Sequence, residues 1–173
     1  MSRTTSTALP IAYVTLRILI VLNCLFGAGI LALLIYSFVN EPWMMRAIGA
    51  SGFTAYRWVV MAMRAIAALG IVAVLLNHQV LKRLLAIIVT VRRGNPFVAG
   101  NAYRLNAIAW FLLALQLLSL VIATIGKPIA AHGQFHVDAG FSVPGWLAVI
   151  LTFVLARVFA EGTLMREDLE GTV

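Results

Sequence analysis

Four apolar stretches constrain this chain more than any other feature. Ile18 to Val39 runs twenty-two residues without a charge, and Ala107 to Ile125 runs nineteen. Val59 to Leu76, interrupted only by Arg64, and Phe141 to Ala156 are shorter. A bilayer hydrocarbon core about 30 Å thick takes about 20 helical residues to cross. The chain is 62% hydrophobic with a mean hydropathy of +1.00, where soluble domains hold about 45–50% apolar residues. The expected fold is therefore an all-α, integral membrane four-helix bundle, with spans at about 18–39, 58–77, 106–126 and 141–160. The longest stretch between spans, Asn77 to Asn106, is thirty residues. That leaves no room for a soluble domain, so residues 1–173 read as a single membrane domain. The first run is too long for the apolar region of a signal peptide and no A-x-A-like site follows it; Asn40-Glu41-Pro42-Trp43 reads as an interfacial stop.

Charge orients the bundle. The net charge of +7 would suggest nucleic acid in a soluble protein, but here it follows the span boundaries, so no direct nucleic-acid binding is expected. Arg3 and Arg17 precede the first span, Lys82, Arg83, Arg92, Arg93 and Arg104 fill the middle gap, and Arg157 and Arg166 follow the last span. Only Arg46, Arg57 and Lys127 fall on the other side. The positive-inside rule places both termini and the middle gap in the cytoplasm. Trp43, Tyr56, Trp58 and Trp146 then fall near outer interfaces, as amphipathic aromatics do.

The gaps differ in character. Met44 to Ile48 has the composition of a short interfacial turn, and Gln134 to Val143 alternates like a small hairpin. In the middle gap Leu81, Leu84, Leu85, Ile88 and Val91 recur at helical spacing. That segment either continues the second helix or lies in the interface, its basic residues toward anionic lipid. Gly94-Asn95-Pro96 ends it, giving a helical hairpin-like cytoplasmic loop between spans two and three. Asn101 is placed to cap the third helix, beginning near Arg104.

Chemistry-bearing residues are few. Arg64 lies inside the second span, since a helix starting after it would be too short to cross. It reads as a snorkelling cation or as an intramembrane polar site. No Asp or Glu occupies a span, so its partner is a neutral group such as Asn23, Gln116 or Ser119, or a loop acid, Glu41 or Asp138. Cys24, the only cysteine, reads as an apolar filler with no activating base. His132, His136 and Asp138 have the types of metal ligands, but Gly133 argues against the helix that would align them. Ser37, Ser51, Ser119 and Ser142 have no base in a recognisable spacing. No phosphate loop, H-E-x-x-H or intramembrane carboxylate pair is present in the sequence, so an enzyme is not expected and no cofactor or metal is assigned. Gln116, Ser119 and Thr124 read as helix–helix contacts. The grouped tail acids Glu161, Glu167, Asp168 and Glu170 read as a solvated helix face, or as partners for Arg92 and Arg93 that tie the loop to the tail.

Two stretches carry a resemblance. One is Val89-Thr90-Val91-Arg92-Arg93-Gly94-Asn95-Pro96-Phe97, followed by Asn101 and Arg104-Leu105. The other is the tail from Val158-Phe159-Ala160-Glu161-Gly162 through Leu164, Met165 and Asp168 to Thr172-Val173. Together they resemble the bacterial DUF2975 family of four-span membrane proteins, which pairs a G-x-P-F cytoplasmic turn with an F-x-x-G-x-x-L-x-x-D…T-V tail. The turn maps to Gly94, Pro96 and Phe97; the tail maps to Phe159, Gly162, Leu164 or Met165, Asp168, Thr172 and Val173. The resemblance implies a bacterial inner-membrane protein that holds or releases a small helix-turn-helix DNA-binding regulator, since genes of the two kinds are neighbours. The resulting expectation is a non-enzymatic regulatory or sensing protein whose cytoplasmic face binds a protein partner. Arg93, Gly94, Asn95, Pro96, Phe97, Gly162 and Asp168 are the candidate partner-binding or structural residues. The alternatives are a small homo-oligomeric transporter or channel component with Arg64 in its path, and an accessory subunit packed against a larger membrane complex.

Overall fold

The computed structural model describes residues 5–40, 53–130 and 140–171. They form four helices: α1 (Thr5–Val39), α2 (Phe53–Arg92), α3 (Ala99–Ala130) and α4 (Val143–Gly171). Each contains a segment long and apolar enough to cross a membrane. The chain is thus an all-α, multi-pass membrane bundle. Helices apolar around their whole circumference are stable only where the surroundings are apolar too.

The helices outrun the expected spans. With 40 residues, α2 is about 60 Å long at 1.5 Å per residue, twice the hydrocarbon thickness. Val80 to Val91 continues α2 without a break, so the loop between α2 and α3 shrinks to residues 93–98. Gly94 terminates α2 in the left-handed region at φ +79°. Its N–H donates to the Val91 carbonyl at 3.0 Å, and the Asn95 N–H donates to the Thr90 carbonyl at 3.2 Å. These two bonds are a Schellman cap, which a glycine makes without a Cβ penalty. Asn101 does not cap α3: the helix already starts at Ala99, and the Asn101 N–H reaches back to the Val98 carbonyl at 2.8 Å. Its side chain serves the turn instead. At the start of α4, the Gly145 N–H donates to the Ser142 hydroxyl at 3.3 Å, an ordinary serine N-cap.

Packing follows chain order, α1 on α2, α2 on α3 and α3 on α4. The helices alternate in direction, so the α2–α3 turn and the described parts nearest both termini share one end of the bundle. Buried apolar side chains come from α2, α3 and α4, among them Val80, Leu81, Ile108, Ala109 and Val149. Among the described residues, Ser37 is the one buried side chain of α1, which makes α1 the flank of the bundle. Its seam with α2 uses small residues for close approach, the usual solution where lipid removes the hydrophobic driving force. Gly27 faces Val74, where an added Cβ would stand 2.7 Å from a valine methyl, and Gly70 faces Ile30. Asn23 donates to the Val74 carbonyl at 3.1 Å and accepts from Asn77 at 2.9 Å, adding a polar clamp to the same seam.

Met44 to Ile48, Glu41, Trp43 and Ser51 lie outside the described residues, as do His132, His136, Asp138 and most of the Gln134–Val143 stretch; Val143 itself opens α4.

Gly27→Leu is expected to destabilise the bundle by about 1–3 kcal/mol through overpacking against Val74, read as a fall in the detergent melting temperature. Gly29→Leu, where an added Cβ meets nothing within 4 Å, is expected to leave it unchanged.

Candidate functional site

The end of the bundle that holds the turn brings most of the candidate residues together. The Schellman cap turns the chain so that Phe97 faces α4. The Phe97 ring lies 5.3 Å from that of Phe159, centroid to centroid, at a distance typical of a favourable aromatic pair. Phe97 also lies over Gly162, where an added Cβ would stand 3.1 Å from its ring. Gly162 is thus the notch that admits the phenylalanine. Beside it, Arg166 donates to the Asn95 side-chain oxygen at 3.4 Å. Turn and tail, read from the sequence as separate motifs, form one clasp. The Asn95 amide and Arg166 give it a polar contact. Arg92 lies over the Tyr13 ring, 5.1 Å from its centroid, and Arg17 lies 5.0 Å from the same centroid. That cation–π contact ties α1 to the end of α2. Arg93 and Asp168 are exposed.

Asn101 holds the clasp from beneath. It is fully buried, and a buried amide is tolerable only if hydrogen-bonded. Its NH2 donates to the Thr90 hydroxyl at 2.6 Å and to the Pro96 carbonyl at 2.9 Å. Its oxygen accepts from Arg104 at 2.8 Å. One side chain thus joins the last turn of α2, the connecting turn and the first turns of α3. The sequence pointed to Asn101 as a cap and as part of the turn motif, not as a buried link between α2 and the turn.

Arg64 sits in the α1–α2 seam at the opposite end. Its guanidinium donates to the Ser37 carbonyl at 2.6 Å and to the Ser37 hydroxyl at 3.4 Å. It also lies 4.2 Å from the centroid of the Phe38 ring. Among the described residues these contacts come from Ser37 and Phe38 rather than from Asn23, Gln116 or Ser119; Glu41 and Asp138 lie outside the described residues. Ser37 carries one of the last four carbonyls of α1, groups a helix end leaves to other donors. A cation there also faces the negative end of the helix dipole. Helical side chains lean toward their own N-terminus, so Arg64 on α2 is aimed at this end of α1.

Two further polar clusters lie along the helices. Cys24 Sγ is 3.8 Å from His78 Nδ1, so the cysteine does have an imidazole beside it, contrary to the sequence reading. The histidine comes from the opposite side of the seam, fifty-four positions away, beyond the reach of local spacing. Between α3 and α4, the Ser119 hydroxyl accepts from the Gly140 N–H at 3.1 Å and donates to the Gly140 carbonyl at 3.3 Å. Gln116 packs on Gly145, where any added Cβ would overlap its amide. Thr124 bonds only within its own helix, to the Val121 carbonyl. Among the described residues, no group of three or more His, Cys, Asp or Glu side chains is arranged to hold a metal.

The chain matches no known protein-family model, no curated protein and no solved structure.

Gly162→Val should push Phe97 out of its notch and free the tail, seen as faster trypsin cleavage at Arg166 in detergent with the remaining bundle intact. Arg64→Met should lower the melting temperature, by about 1–3 kcal/mol of lost charged hydrogen bonding, while Arg64→Lys recovers part of the loss. Equal melting of the Met and wild-type proteins would remove the capping role.

Proposed function

We propose that this is a non-enzymatic regulatory or sensing protein of the bacterial cytoplasmic membrane, with both termini in the cytoplasm and a protein partner bound at that face. The observation that carries the reading is the clasp. Phe97, seated against Phe159 and Gly162, brings the α2–α3 turn and the α4 tail onto one surface on the side that the Lys and Arg distribution assigns to the cytoplasm. A surface assembled from two distant segments, with Arg93 and Asp168 exposed on it, suits recognition of a folded protein. The resemblance of both segments to DUF2975 motifs points to a small helix-turn-helix regulator as the kind of partner. Holding such a protein at the membrane would keep it from DNA.

A second reading, an accessory subunit or homo-oligomer, is favoured by α1, whose apolar surface away from α2 is open along its length, as at Ile11, Val21, Phe26 and Leu33. The transporter reading loses support from Arg64, because its contacts with Ser37 and Phe38 give that cation a structural role.

The test is affinity capture of the solubilised protein from its native membrane, followed by mass spectrometry. A small helix-turn-helix protein should co-purify with the wild type and be lost with Arg93→Glu, while the melting temperature of the bundle is unchanged. Recovery of self-associated chains alone, or of a membrane complex insensitive to Arg93→Glu, would replace this reading with the second.

A further inference from the structure

Cross-helix contacts fix the relative height of residues on neighbouring helices. Asn23 meets Asn77, and Gly27 meets Val74, which sets Arg17 of α1 level with Lys82 and Arg83 of α2. Asn101 meets Thr90, and Phe111 meets Arg83, which sets Arg104 of α3 about one turn farther along. Phe153 meets Trp110, and Gly162 meets Phe97, which sets Arg157 of α4 level with Arg104. Five cations drawn from all four helices therefore occupy a belt within about two helical turns, or roughly 10 Å. The sequence has six acids: Glu41 and Asp138, which belong to the loops of the opposite end, and four in the tail from Glu161 onward. Glu161, paired with Arg157 at 2.8 Å, lies one turn beyond the belt toward the terminus.

The spacing to the next cations is informative. Arg64 precedes Arg83 by nineteen positions on one helix, about 28 Å along its axis. Lys127 and Arg104 are separated by twenty-three positions on α3, about 34 Å. Both distances match a hydrocarbon core of about 30 Å. The belt thus falls where one leaflet's phosphates lie when Arg64 and Lys127 mark the other boundary; because α2 runs on to Arg92, Arg64 then stands at the edge of its span and not inside it. Two of its members are positioned by the bundle: Arg83 lies over Phe111 and accepts support from Gln79 through a 2.9 Å bond that it donates, and Arg104 is held by Asn101. Arg17, Lys82 and Arg157 are exposed at the periphery.

We infer that this belt binds anionic phospholipid headgroups, and that it sets the height at which the clasp stands beyond the membrane surface. The clasp, about one to two turns past the belt, is thereby kept clear of the headgroups. The inference rests on helix register and charge, and holds whether or not the clasp binds a protein.

The experiment titrates phosphatidylglycerol, against phosphatidylcholine, into the detergent-solubilised full-length protein and follows the melting temperature. The wild type should be stabilised by phosphatidylglycerol selectively. Each peripheral cation near the lipid surface is worth about 1 kcal/mol, or about five-fold in affinity. The Lys82→Gln, Arg157→Gln double variant should therefore shift the titration midpoint about 25-fold, with unchanged melting in phosphatidylcholine. Lys127→Gln, at the opposite end, should leave the midpoint in place. Equal response of the double variant and the wild type would overturn the inference. So would equal loss with Lys127→Gln, and so would equal stabilisation by inorganic phosphate, which would mark a free-anion site instead.

Discussion

A hydrocarbon layer leaves no polar group to water, and this demand decides where nearly every polar side chain in the bundle points. Helices satisfy their own backbone, so the demand falls on side chains and on the few breaks in helix. Asn23 and Asn77 satisfy each other across the α1–α2 seam. Ser119 takes both the N–H and the carbonyl of Gly140, where the chain is not helical. Thr152 bonds back to the Ala148 carbonyl of its own helix. The exception is the Trp146 indole N–H, which is buried with no hydrogen-bond partner among the described residues.

The same demand divides labour between the two ends. Where helices meet in lipid, association rests on close packing, and glycines supply it at Gly27, Gly70 and Gly145. At the turn end the contacts change character. Asn101 carries a buried amide network, Phe97 fills a notch at Gly162, and Arg92 lies over Tyr13. At that end these contacts link α1 to α2, α2 to α3, and the α2–α3 turn to α4.

Much of this was legible in the sequence, and the reasons for the rest are physical. Charge-free length revealed the four helices, because a span requires about 20 apolar residues whatever its neighbours are. Helix ends were less legible. Val80 to Val91 is apolar at helical spacing, but periodicity does not distinguish a continuing helix from one lying in the interface; the Gly94 cap determines where α2 ends. Arg64 was recognisable as an anomaly, yet its contact with Ser37 was not, because that contact is mainly to a backbone carbonyl, a group every residue has. Cys24 has no imidazole near it by local spacing and meets His78 only across the seam with the facing helix. Gly162 and Phe97 were each visible as motif residues; that one is the socket of the other needed the register of α4 against the turn.

The functional reading depends on one claim, that the clasp and the basic belt face the cytoplasm. Site-specific labelling tests it most directly. In a Cys24→Ser background, Arg93→Cys and Lys127→Cys are each exposed to a membrane-impermeant maleimide on intact cells, and again after permeabilisation. The account predicts that position 127 is labelled in intact cells and position 93 only after permeabilisation. Labelling of position 93 in intact cells, with position 127 protected until permeabilisation, would invert the topology and contradict a cytoplasmic partner at the clasp.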